Sequence, residues 1–131
     1  MLSKMPFAIL VTGSRDWKDY DSIFNSLSIY PSDSSTVLIH GGCRGLDTIA
    51  SKVAHDLNFS VEQYSARWNI YGYSAGPVRN KSMLKRLIEY KDQGYTVKVL
   101  AFHPNLSESK GTKNCYDMAV AQGFEVKLYT E

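Results

Sequence analysis

The sequence predicts an α/β fold in which helices wrap a five-stranded parallel sheet with strand order 3-2-1-4-5. Apolar runs alternate with helical patterns from end to end, as in a parallel sheet built from crossover units. Glycine-rich turns stand where strands give way to helices. Right-handed crossovers, with a single long return from the third strand to the fourth, then give the strand order.

The strands are expected at Phe7–Thr12, Thr36–His40, Ser60–Tyr64, Thr96–His103 and Phe124–Tyr129. The helices are expected at Tyr20–Ile29, Leu46–Leu57, Pro77–Lys91 and Thr112–Gln122. The first of these helices sets Ile23, Phe24 and Leu27 toward a core. The second does so with Leu46, Ile49, Ala50, Val53, Ala54 and Leu57, at spacings of three and four. In the third, Leu84, Leu87 and Ile88 face inward with Met83 alongside. Residues 65–76 form the longest connection without a helical pattern, and long connections in compact domains tend to be functional.

A chain of 131 residues fits one domain, 1–131, with residues 1–5 expected to be flexible. Hydrophobic residues make up 44% and charged residues 21%, which excludes disorder and coiled coil as global descriptions. A net charge of +2 demands no polyanionic partner. No apolar stretch is long enough for a bilayer and no signal peptide is visible, so a cytoplasmic protein without a membrane partner is expected. Cys43 and Cys115 are too few for a disulfide scaffold. With His40, His55 and His103 they form no CxxC or HxxxH pair, so neither a metal site nor a cofactor is expected.

Gly41-Gly42-Cys43-Arg44-Gly45-Leu46-Asp47 joins the second strand to its helix. Glycine permits close approach of a ligand, and the first helical amides attract anions. The spacing is neither that of a Walker loop nor that of a GxGxxG fingerprint. A phosphate cradle and a plain packing turn both fit. Asp47, in the first helical turn, gains from the macrodipole; it also suits an acceptor for ribose hydroxyls or a catalytic carboxylate. Arg44 reads as a phosphate contact or a solvated side chain.

Three further segments, Gly13–Asp16, Ser65–Asn80 and His103–Thr112, belong beyond the carboxyl ends of the strands, where ligands bind in such sheets. Gly13-Ser14-Arg15-Asp16 offers a hydroxyl, loop amides and a guanidinium, although Arg15 could instead pair with Asp16 or Asp19. The stretch from Arg67 to Asn80 combines aromatics, glycines and arginines. Trp68 or Tyr71 can stack a base, or seal a core or a subunit interface, while Arg79 and Asn80 can reach phosphate or ribose. Lys81, Lys85, Arg86 and Lys91 read as a solvated helix face. Lys110-Gly111-Thr112 opens the last helix as a glycine with a threonine cap, and Cys115 is expected to face the core.

Together these segments resemble the SLOG superfamily, which joins DNA-processing protein A with the Lonely Guy proteins, and within it the small bacterial and phage branch called YspA/cpYpsA-related. The resemblance rests on Gly13-Ser14-Arg15-Asp16, Gly41–Asp47 with Ala50, Ala66-Arg67-Trp68, Ala75–Asn80 with Met83, and Gly111-Thr112, in order along nearly the whole chain. It implies a single Rossmann-like three-layer sandwich that binds a nucleotide or nucleotide-derived signalling ligand, as sensor, carrier or sequestering protein. The ligand-binding positions are then Gly13, Ser14, Arg15, Gly41, Gly42, Arg44, Gly45, Asp47, Trp68, Tyr71, Arg79, Asn80, Gly111 and Thr112. Lonely Guy enzymes cleave nucleotide N-glycosidic bonds with an arginine and the glutamate of a GTxxE pattern. Here Cys115 takes the glutamate position; Asp47 or Asp117 could stand in, and Asp47 is taken as the candidate catalytic carboxylate of a phosphoribohydrolase-like hydrolase. A single-stranded DNA binder like DNA-processing protein A is the third reading. A homo-oligomer is also expected, paired through the aromatic segment and the third helix.

Overall fold

The computed structural model describes residues 6–131, so the flexibility expected of residues 1–5 lies outside the described residues. Five parallel strands, β1 (Phe7–Gly13), β2 (Thr36–His40), β3 (Ser60–Gln63), β4 (Thr96–Phe102) and β5 (Val126–Tyr129), pair in the order β3-β2-β1-β4-β5. Helices α1 (Tyr20–Leu27) and α2 (Leu46–Asp56) cover one face, and α4 (Ala75–Asp92) and α5 (Gly111–Ala121) the other. The expected fold and strand order are therefore present.

Central strand β1 is buried on both faces, which is why it reads as a continuous apolar run. Ile9 and Val11 pack with Ile23 and Leu27 of α1 and Leu46 and Val53 of α2. Ala8 and Leu10 pack the opposite way, against Met83 and Leu87 of α4 and Cys115 and Ala119 of α5. Cys115 thus lies in the core, where burial pushes its thiol up to about 12.

Several element boundaries differ from expectation for local reasons. Helix α1 stops at Leu27, and Ile29 is exposed. Phe24, Ile49 and Ile88 are only half-buried, at the flanks of their helices. Residues 65–76 are not an irregular loop: a one-turn helix, α3 (Trp68–Tyr71), leads through a 3-10 turn at Gly72–Ser74 directly into α4. Pro77 is accordingly the third residue of α4 rather than the first, still within the turn whose amides lack intrahelical acceptors. Strands β3 and β4 each end one residue early and β5 begins at Val126, while β1 extends to Gly13.

Arg86 is not on a solvated face. Its Nε donates to Glu62 Oε1 at 3.0 Å and its Nη2 to Oε2 at 3.2 Å, and Tyr90 Oη also bonds to Glu62. Burial works against the Glu62 charge, but these bonds outweigh it and hold the carboxyl below its ordinary range. This ties α4 to edge strand β3.

The ends of β1 and β4 lie side by side, with Gly13 opposite Phe102. From there β1 leads to α1 on one face and β4 to α5 on the other, so a crevice opens between the two strand ends. Among the described residues no helix is long and apolar enough to cross a membrane.

Candidate functional site

A cavity of about 250 Å³ occupies this crevice. It is lined by Gly13, Ser14 and Arg15 after β1, by Asp47 of α2, by Arg79 and Asn80 of α4, and by Lys110, Gly111 and Thr112 at the start of α5. Short backbone bonds fix its rim. The Ser14 amide donates to the Phe102 carbonyl at 2.9 Å, and the Leu46 amide to the Ser14 carbonyl at 3.0 Å, which joins β1, β4 and the start of α2.

The Gly41–Asp47 loop differs from a phosphate cradle. Asp47 Oδ2 accepts the amides of Gly41 at 3.0 Å and Cys43 at 3.2 Å, and the Gly42 amide donates to His40 Nδ1 at 3.0 Å. Three loop amides are therefore committed internally. Of the two readings open to this loop, these bonds fit the turn rather than a cradle of free amides: the loop is wound around the Asp47 carboxylate, which lines the cavity together with Cys43.

Two glycines make the winding possible. Gly45 has φ +75°, and a Cβ there would stand 2.3 Å from the Arg15 carbonyl oxygen. At Gly41 a Cβ would stand 2.3 Å from Arg79 Nη1. That space is filled by the guanidinium, whose Nη1 donates to the Gly41 carbonyl at 2.7 Å and whose Nε donates to Asn80 Oδ1 at 2.8 Å. Asn80 in turn donates to Asn114 Oδ1 at 3.0 Å and to the Gly111 carbonyl at 3.3 Å. One chain of bonds thus runs from the glycine loop through α4 to the start of α5.

Asp47 is 5% exposed, and its second oxygen, Oδ1, is buried without a hydrogen-bond partner. Burial pushes its carboxyl up to about 6, against the opposing pull of the Cys43 amide, Arg79, the Gly41 amide and Arg15. A buried acceptor left open is expensive unless something donates to it. Three cationic side chains, Arg15, Arg79 and Lys110, line the same cavity.

A second hollow, of about 300 Å³, lies across the glycine loop and shares Arg15, Cys43 and Arg79 with the first. Gly41, Gly42, Arg44 and Trp68 line it. Two expected site residues stand apart: Tyr71 lines a different hollow with Gln63, Tyr64 and Arg67, and Gly45 serves the turn. Arg15 has not paired with Asp16. That carboxylate lies 4.0 Å from Arg44, in an exposed pair that contributes little. Thr112 is not the cap of α5: it lies inside the helix, and its amide donates to Ser109 Oγ at 3.0 Å.

Cys43, His103 and Lys110 also line the main cavity. They were not among the named ligand-binding positions, although strand order had already brought the segments that carry them, Gly41–Asp47 and His103–Thr112, to this place. Among the described residues no group of three His, Cys, Asp or Glu side chains is placed to hold a metal ion.

A model of the YspA, cpYpsA-related SLOG family matches residues 7–71, which span β1 through α3. Over 125 residues the chain is 34% identical to the Gene 61 protein of Mycobacterium phage D29, covering 90% of this chain and 92% of that one. That similarity extends past α3 into the segments that supply Arg79, Asn80 and Lys110. No solved structure shows a significant match. With the glycine loop, its buried aspartate and the β1–β4 crevice in place, the chain belongs to the YspA, cpYpsA-related SLOG family.

Proposed function

We propose that the crevice binds a nucleotide or nucleotide-derived ligand through its ribose and phosphate. The observation that carries this reading is Asp47 Oδ1, a buried acceptor without a partner, in a cavity ringed by Arg15, Arg79 and Lys110. A ribose hydroxyl supplies the missing donor, and a charge-assisted bond of that kind is among the stronger ones. Phosphate oxygens meet the cations. The neighbouring hollow along Trp68 and Arg44 offers an aromatic face for the base. Native mass spectrometry of the purified protein, followed by calorimetric titration with nucleoside monophosphates, tests the reading. Saturable binding of at least one compound supports it, and an empty protein that binds none contradicts it.

A specific observation also favours hydrolysis of an N-glycosidic bond. A carboxyl raised to about 6 holds or releases a proton near neutral pH, as a general acid or base must. Water would add across the C1′–N bond, its hydroxyl going to the sugar carbon and its remaining proton to the departing base. Asp47 would take that proton from the water and pass it to the departing base, with Arg15 or Arg79 stabilising the leaving group. Release of free base that disappears in Asp47→Asn supports this second reading, while ligand recovered intact supports binding alone.

The α3 segment is the surface we assign to self-association. Trp68, Ile70 and Tyr71 are about half exposed or more, and Tyr73 fully so. Light scattering of the wild type and of a Tyr73→Ser, Ile70→Ser variant tests it: a dimer lost in the variant is expected, and a monomeric wild type contradicts it.

A further inference from the structure

The glycine loop has a second side. Along β2, Thr36, Leu38 and His40 alternate onto the face covered by α1 and α2, opposite to Val37 and Ile39. His40 is 2% exposed, and its Nδ1 accepts the Gly42 amide at 3.0 Å. An Nδ1 that accepts leaves the ring proton on Nε2. That Nε2–H is a buried donor without an acceptor.

His40 lines a cavity of about 400 Å³ between α2 and the end of β3, together with Thr48, Ser51, Lys52, His55 and Gln63. It shares only Gly42 with the hollow beside Trp68, and nothing with the Asp47 cavity. Its chemistry is one-sided. The His40 ring offers an N–H and Ser51 a hydroxyl, Lys52 adds a cationic side chain whose ammonium lies 5.8 Å from the Tyr20 ring centre, and no carboxylate is among the lining side chains. Thr48 Oγ1 donates to the Cys43 carbonyl at 3.0 Å, so the wall of this cavity is tied to the glycine loop at two points, through Gly42 and through Cys43.

We infer that this cavity is a second binding site, for an oxyanion (a carboxylate or phosphate group), which donates nothing and accepts from His40 Nε2–H, Ser51 and Lys52. An occupant there polarises the imidazole and strengthens its Nδ1 as acceptor for the Gly42 amide. It thereby stiffens the loop whose other side holds Asp47. The occupant acts on the Asp47 cavity without touching it, as an effector does. The inference stands independently of what the Asp47 cavity binds.

The test is titration of isotopically labelled protein with inorganic phosphate and, separately, with acetate, followed by NMR of the backbone amides and the imidazole nitrogens. An Arg15→Ala, Lys110→Ala background weakens phosphate binding in the β1–β4 crevice by taking away two of its three cations. Saturable shifts at His40 Nε2 and at the amides of Gly42, Ser51 and Lys52 are expected there. The affinity should fall about tenfold or more in Lys52→Glu, an exposed position, with the backbone spectrum of the free variant matching the wild type away from residue 52. Phosphate acting alone identifies a phosphoryl occupant, and acetate acting equally identifies a carboxylate. If neither anion moves these resonances, or if Lys52→Glu leaves the affinity unchanged, the inference is overturned.

Discussion

The Arg79 guanidinium occupies the space that a side chain at residue 41 would need: its Nη1 bonds to the Gly41 carbonyl at 2.7 Å, and a Cβ there would lie 2.3 Å from that nitrogen. The absence of a side chain at Gly41 and the presence of Arg79 are one feature. Through it, a residue of α4 fixes a loop between β2 and α2, and the loop fixes Asp47.

Arg79→Ala therefore removes a brace and a site cation together. It leaves the buried Gly41 carbonyl and Asn80 Oδ1 without their donors, a loss of about 2–3 kcal/mol. Gly41→Ala should produce a smaller loss of the same kind by displacing the guanidinium. Urea unfolding checks both, with lowered midpoints and unchanged slopes expected.

Asp47→Asn should separate stability from function. The wild-type carboxyl is raised from 3.8 to about 6, so between these values the folded state binds more protons than the unfolded chain. Stability then falls as pH rises through that window, by about 3 kcal/mol in total. An asparagine carries no such penalty, and its oxygen still accepts from Gly41 and Cys43. The variant should melt higher than the wild type at pH 8 and match it near pH 4. Ligand binding or hydrolysis should be impaired at both.

Glu62→Gln should act in the opposite pH direction. Because the Glu62 carboxyl is held below its ordinary range, its contribution is present at neutral pH and lost as acid protonates it. Thermal melts should show the variant weakened at pH 7, with the gap to the wild type narrowing as the pH is lowered into the acid range.

The two thiols should differ in reactivity. Cys43 is partly exposed at the cavity, whereas Cys115 is buried with a thiol raised to about 12. A colourimetric thiol reagent should titrate one equivalent in the native protein and two after unfolding. Bound nucleotide should slow the first, since Cys43 lines the same cavity.

Salt dependence distinguishes a small ligand from a nucleic acid. Two or three cations meeting one phosphate group give a shallow dependence of affinity on ionic strength. A polynucleotide would release many counterions and lose affinity steeply. The shallow response is expected, measured as the slope of log affinity against log salt.

Much of this molecule was legible from periodicity. The run at Phe7–Thr12 reads as a buried strand because both its faces are covered, and the spacing of Leu46, Ala50 and Val53 reads as a helix because one face is. The crevice followed from strand order, and with it the meeting of Arg15, Asp47, Arg79 and Asn80. What stayed hidden was the direction of hydrogen bonds. Nothing in Gly41-Gly42-Cys43 says whether its amides face a ligand or their own Asp47, since that depends on positive φ angles at Gly42 and Gly45 and on a guanidinium 38 residues away. The α3 turn was missed because Trp68–Tyr71 is too short to carry a periodic signal, and Arg86 was misread because its partner Glu62 lies across space on β3.

The measurement closest to the central claim is calorimetric titration of the wild type and Asp47→Ala with a nucleoside monophosphate and its 2′,3′-dideoxy counterpart. If Asp47 Oδ1 accepts from a ribose hydroxyl, the wild type binds the hydroxylated ligand at least about tenfold more tightly. Asp47→Ala then loses that preference. Equal affinity of the wild type for both ligands, or a preference that survives in Asp47→Ala, would contradict the account.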